Sequence, residues 1–236
     1  MNSIKILQQP NDITCGPTCL HAVYNYYGEP VDIDKIIHEV GSLETGGTLS
    51  VMLANHALKQ GYDATIYTYN LTVFDPTWFS GEVNISAKLK EQLKYKKSSK
   101  LRAASLEYIE FLRLGGKIKS VDLNPKLLMK FFNKGIPILT GLSATYLYNC
   151  SREFTNEEDQ AVYHDTKGYN TGHFVLLSSF DKEKRVVSVS DPYKENPISG
   201  EKYYYVDIGR LLNSIMLSIN TYDSNLLLIT PRDKNK

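Results

Sequence analysis

One cysteine of this chain stands where a nucleophile would be placed. In Gln9-Pro10-Asn11-Asp12-Ile13-Thr14-Cys15-Gly16-Pro17-Thr18-Cys19, Cys15 is predicted to open a helix. Pro17 fits the first turn of that helix, where a missing N–H costs no hydrogen bond. The free N–H groups and the dipole at a helix N-terminus favour a thiolate, the nucleophilic form of the side chain. The same N–H groups can bind the oxyanion of a tetrahedral intermediate. The side-chain amide of Gln9 offers a second donor. Gly16 lets other backbone or a substrate come close.

A base is expected far along the chain, in Gly172-His173-Phe174-Val175-Leu176-Leu177, followed by Ser190-Asp191-Pro192-Tyr193. His173 opens an apolar strand, and a polar ring there needs a partner. A hairpin would bring Asp191, at the end of the next strand, back to His173. A carboxylate there can accept from one imidazole nitrogen and fix the tautomer, leaving the other nitrogen to face a thiol. Thiolate attack on a peptide carbonyl would give a thioester, released by water or an amine. Such chemistry calls for no cofactor and no metal. The plainer reading of the same residues is a buried apolar cysteine and a structural His173–Asp191 hydrogen bond.

The elements that must position these groups read as helices early and strands late. Helices are predicted over about 15–27, 32–40 (Asp32 as N-cap, Gly41 as stop) and 48–60 (Thr48 as cap, Gly61 as stop). A strand follows over 63–69. From about 80 to 116 the texture is rich in Lys, Leu, Glu and Ala, with helical periodicity; Leu101, Ser105, Tyr108, Leu112 and Leu114 form one stripe. A short strand near 117–122, a helix over 125–134 and an apolar strand over 136–142 come next. Residues 146–171 read as a long, Tyr-rich loop of the kind that is often functional. Strands over 173–180, 185–190 and 201–206, a helix over 208–218 and a strand over 225–230 complete the pattern. The order implies an α+β fold, a helical half packed on a twisted antiparallel sheet. It fits a single domain over 1–236 with a helical insertion at about 80–116.

Composition narrows the function. The 236 residues are 42% hydrophobic, enough for a sizeable core, and the net charge is only +1. Nothing argues for a nucleic-acid surface; Lys94, Lys96, Lys97 and Lys100 read as a solvated helix face. No apolar run approaches the roughly 20 residues that span a bilayer, and the first residues lack the apolar core of a signal peptide. A cytoplasmic protein is expected. Three cysteines, an odd number, disfavour a disulfide framework. The sequons at Asn70, Asn84 and Asn149 then read as chance.

Taken together, Gln9, the Cys15-Gly16-Pro17-x-Cys19-Leu20 run, Gly172-His173-Phe174-Val175-Leu176-Leu177 and Ser190-Asp191-Pro192-Tyr193 resemble the bacteriocin-processing cysteine peptidases of the papain-like superfamily. Those enzymes remove double-glycine leaders, usually as a domain of an ATP-binding export transporter. The resemblance covers residues 1–70 and 130–230. It implies a papain-like fold with Cys15 as nucleophile, His173 as base, Asp191 as orienting residue and Gln9 as oxyanion donor, and a peptide or protein as substrate. The spacing between Cys15 and His173 exceeds what the family's short domain needs, and the helical stretch at 80–116 accounts for much of it. No transporter sequence is present, so the substrate need not be a double-glycine leader. Two other readings stay open: a thiol acyltransferase or transpeptidase on the same residues, and a peptide-binding module without turnover.

Other candidates read as structural. Cys15, Cys19 and His21 match no usual zinc spacing; Cys19 is expected in the core and Cys150 as a bystander. His21, His38 and His56 read as surface or satisfied polar groups, and His164 lies close enough in sequence to His173 to reach a cleft. Asp75-Pro76-Thr77-Trp78-Phe79 reads as an aromatic satellite of the core or a groove wall, and Asn11-Asp12 as a turn.

Overall fold

The computed structural model describes residues 4–43, 46–158 and 161–232. Three helices come first: α1 (Cys15–Tyr26), α2 (Ile33–Val40) and α3 (Ser50–Lys59). They lead to β1 (Tyr62–Thr68), then to α4 (Ile85–Gln92), α5 (Ser99–Arg113), β2 (Lys117–Lys119), α6 (Pro125–Phe132) and β3 (Ile138–Ser143). The second half holds α7 (Ala144–Tyr148), β4 (Glu153–Thr155), β5 (Ala161–Tyr163), β6 (Gly172–Asp181), β7 (Val186–Ser190) and β8 (Tyr203–Asp207). It ends with α8 (Ile208–Met216) and β9 (Asn225–Pro231).

Seven strands form one sheet in the order β2-β1-β9-β3-β6-β7-β8, antiparallel except for the β1–β2 pair. Side chains alternate across a strand, and β6 uses both of its faces. Phe174 and Leu176 enter one apolar cluster with α1, α2, α3 and α5; Val175 and Leu177 enter a second with α6, α7 and α8. Helices therefore cover both faces of the sheet. The fold is α+β and papain-like, as the order of elements and the resemblance implied.

Local chemistry explains the boundaries. Asp32 caps α2, its carboxylate accepting from Lys35 N–H at 3.1 Å, and Gly41 ends that helix at φ 69°. The stripe on α5 is Leu101, Ala104, Ser105, Tyr108 and Phe111, all buried, so Phe111 takes the place foreseen for Leu112. The expected cap of α3 is corrected. Thr48 does not cap it; the helix opens at Ser50, whose N–H and Oγ both donate to Asp223 Oδ1 at 3.0 Å. A cap supplied from so far along the chain leaves no local signal. The expected loop over 146–171 is also corrected. It holds the end of α7, whose Ser143 cap accepts from Tyr146 N–H at 3.2 Å, and the β4–β5 hairpin. Strands of three residues are too short for alternation to be read. Likewise α8 stops at Met216 and a 3-10 turn, Leu217–Thr221, succeeds it. Among the described residues no helix is long and apolar enough to cross a membrane.

The sequons hold structural asparagines. Asn70 is buried and accepts from Thr72 N–H at 2.9 Å. Asn84 caps α4, and Asn149 ends α7 in the left-handed conformation at φ 55°. Phe74 packs edge-on against Trp78 and Tyr108, so the aromatic segment is a satellite of the core.

Candidate active site

Cys15 is the first residue of α1. No side chain caps that helix: the Thr14 hydroxyl instead donates to Asn11 O at 2.9 Å and accepts from Asn11 N–H at 3.2 Å. The first N–H groups of α1 are thus left without a capping side chain beside the thiol. Gly16 is buried for a reason the sequence did not disclose. A Cβ there would lie 3.1 Å from Leu53 Cδ1 and 3.2 Å from Phe174 Cδ2. The close approach is made by core side chains of α3 and β6, which set α1 tightly against the sheet.

His173 lies on β6 paired with Leu142 of β3, and its ring is nearly buried. Its Nε2 is 2.8 Å from Asp191 Oδ1, and Cys15 lies near enough to the same ring to raise its pKa. With Nε2 engaged by the carboxylate, Nδ1 is the ring nitrogen not held by Asp191. Asp191 comes directly after β7 and is fully buried. Its Oδ1 also accepts from Tyr193 N–H at 2.8 Å; its Oδ2 accepts from Tyr148 OH at 2.8 Å and Tyr204 OH at 2.7 Å.

The electrostatics reflect this packing. Burial pushes the His173 imidazolium toward the neutral form, but the Asp191 carboxylate and the neighbouring Cys15 push it further the other way, to about 10. Burial raises the Asp191 carboxyl, and the His173 charge and hydrogen bond outweigh that and hold it below its ordinary value. The pair is therefore an imidazolium and a carboxylate at neutral pH. Cys19 is quite different: burial pushes its thiol well up, and its Sγ lies 3.3 Å from Phe174 O.

Gln9 is tied to the segment after Asp191, its N–H donating to Pro192 O at 2.9 Å. Its Nε2 donates to Asn11 O at 3.0 Å, and its Oε1 is buried without a partner. One amide hydrogen is left for another acceptor. Gln9 and His173 line the same cavity of about 160 Å³, with Asp12, Tyr148, Glu153, Tyr163 and Tyr193. A larger cavity of about 580 Å³ lies at the β1–β2 edge, between Tyr69, Phe79, Asp122 and Met216. None of the four candidate residues lines it.

The structure thus brings His173, Asp191 and Cys15 together and sets Gln9 beside them. It keeps His164 out: that ring packs edge-on against Phe154 and accepts from Thr166 and Lys167 N–H. His56 is a satisfied core residue, bonded to Tyr24 OH at 2.8 Å and Glu39 Oε2 at 3.0 Å. His21 contacts Asn25, and no group of three or more metal-binding side chains converges among the described residues. Sequence reasoning missed Tyr148 and Tyr204. The run Tyr203-Tyr204-Tyr205 held a signal for one of them. Alternation on a strand turns its middle tyrosine inward with Val206, beside the strand that Asp191 directly succeeds.

The fold is papain-like, and it sets a cysteine, a histidine and a buried carboxylate near one another. The model of the Peptidase C39 family matches residues 3–80, the third of the chain that carries Gln9 and Cys15. The resemblance read from the motifs is met there by a family match. Among solved structures, a protein described as a candidate C39-like peptidase from Bacillus anthracis superposes with a TM-score of 0.51 at 14% identity, covering 98% of this chain and 96% of that one. The peptidase domain of Streptococcus ComA, a bifunctional ABC transporter, gives 0.45 at 11%, covering 98% and 100%. A double glycine motif protease from an AMS/PCAT transporter, solved with its leader peptide, gives 0.45 at 12%, covering 98% and 93%. No curated protein matches the chain.

Proposed function

We propose that this protein is a cysteine peptidase whose Cys15 attacks a peptide carbonyl. The observation that carries the reading is the nearly buried His173 ring, bonded through Nε2 to the buried Asp191 carboxylate with Cys15 within electrostatic reach. The family match over residues 3–80 supports it. In the proposed reaction Cys15 attacks as a thiolate beside the His173 imidazolium, and its sulfur bonds to the carbonyl carbon as the C=O electron pair moves to the oxygen. The oxyanion that forms is met by the uncapped N–H groups of α1 and the free amide hydrogen of Gln9. His173 then gives its proton to the leaving amine as the C–N bond breaks. Water attacks the thioester and restores the thiol. Asp191 holds the ring in one tautomer throughout. A peptide or protein chain is the proposed substrate.

Two measurements test this. Cys15→Ala removes the nucleophile and little buried volume, so it should abolish turnover of a peptide library and leave the circular dichroism spectrum unchanged. Mass-spectrometric mapping of iodoacetamide labelling at mildly acidic pH should find Cys15 modified ahead of Cys19 and Cys150, and His173→Ala should erase that lead. Wild-type turnover in folded Cys15→Ala, or Cys19 reacting first, would refute the assignment.

A further inference from the structure

The Asp191 side chain is more completely held than a group that only orients a histidine requires. An ionised carboxylate has about four acceptor sites. Here they are met by four donors: His173 Nε2 and Tyr193 N–H at Oδ1, and the phenols of Tyr148 and Tyr204 at Oδ2. The phenols come from different elements, α7 and β8, and both residues are 7% exposed. From α1, Cys19 lies within electrostatic reach of Asp191, and Cys15 within reach of Tyr148. No lysine or arginine is paired with Asp191, so His173 is its cationic partner among the described residues.

We propose that Tyr148 and Tyr204 are positioning residues of the site, a phenol clamp that holds the buried Asp191 carboxylate ionised and turns its Oδ1 to His173. The role in turnover rests on the peptidase reading; the clamp itself does not. A carboxylate removed from water with one partner would take up a proton, since charge in a dry interior is costly. Each phenol that donates to the ionised form offsets part of that cost. Donation at Oδ2 also fixes the carboxylate plane, which leaves Oδ1 aimed along the His173 ring. Burial and the neighbouring carboxylate both push the two phenols up, so they stay protonated and remain donors over the working pH range. The two differ in one useful way. Tyr148 also walls the cavity beside His173, whereas Tyr204 does not line it and cannot touch a substrate held there.

Tyr204→Phe removes one donor and almost no volume. The readouts are the ¹³C-carboxyl titration of Asp191 and the rate at which iodoacetamide labels Cys15 at pH 5 and pH 8. A lost hydrogen bond to a charged group should raise the carboxyl midpoint by about one to two pH units. The ratio of labelling at pH 5 to that at pH 8 should fall several-fold, with circular dichroism unchanged. Placing 3,5-difluorotyrosine at 204, a stronger donor of nearly the same shape, should move the midpoint the opposite way. An unmoved midpoint in folded Tyr204→Phe overturns the proposal. If that variant does not fold, an unmoved midpoint in the fluorinated protein overturns it. Should the midpoint move while Cys15 stays unreactive in every variant, the clamp holds and the peptidase reading fails.

Discussion

At the scale of single residues, Gln9 is the group whose role is most open to measurement. Its backbone N–H is fixed to Pro192 O and its Nε2 to Asn11 O, yet one amide hydrogen is unspent. If that hydrogen meets the oxyanion, Gln9→Ala should lower kcat by roughly 10²–10³ with little change in KM, the usual cost of one such donor. A loss below about threefold would make Gln9 a structural tie between the lead-in and the Asp191 segment. Cys15, His173 and Asp191 are legible in the sequence as candidates because each sits beside a boundary with its own signature, and Gln9 by its place six residues before Cys15. A glycine and a proline succeed Cys15, and apolar strands flank His173 and Asp191. Tyr148 and Tyr204 had no comparable signature in a chain with 17 tyrosines. What marks them is a contact across elements that no local pattern records.

At the scale of elements, the stretch proposed as a helical insertion behaves as wall rather than appendage. Its α5 packs on α3, where Asn55 Nδ2 donates to Glu107 O at 3.1 Å and Glu107 Oε2 at 2.8 Å. Tyr108 is buried between Phe74 and the polar group of Ser50 and Asn225. No residue of 80–116 lines the cavity beside His173. Tyr108→Ala should therefore act on stability, costing about 3–5 kcal/mol in urea unfolding, as large aromatic truncations in a core do. Labelling of Cys15 in the folded variant should stay near wild type. A stable Tyr108→Ala protein with altered peptide preference would place the stretch at the cleft instead. The helices and long strands were legible because their apolar periodicity exceeds one turn or two pleats. The β4–β5 hairpin and the cap of α3 were not, since one is too short and the other is made by Asp223.

For the molecule as a whole, three buried groups contribute to the dependence of stability on pH, and the lowered His56 gives an opposing share that is lost as pH falls. His173 is raised to about 10, so its contribution is complete below about 6.5 and is lost as pH climbs through about 10. Asp223 is pushed up to about 7 by burial, against the Ser50 hydrogen bonds, so it too favours the fold at low pH and loses that contribution by about pH 7. Asp191 is depressed, so its share is present above the ordinary carboxylate value and is lost as pH falls through its lower folded value. The sum predicts greatest stability between about pH 4 and 6, with a decline toward pH 10. Asp223→Asn should flatten the part of that decline below about pH 8 and leave the rest. Urea midpoints from pH 4 to 10 measure both, and a stability maximum above pH 8 would contradict the assignment.

The place of β9 in the sheet has a consequence for the order of synthesis. This strand comes late in the chain yet lies between β1 and β3. Until residues 225–231 have left the ribosome, β2–β1 and β3–β6–β7–β8 have no strand to join them. Asp223, which must reach back to the start of α3, is also still unmade. Joining partners so distant along the chain is slow. The β2–β1 pair and the β3–β6–β7–β8 block are therefore both made before the strand that joins them into one sheet.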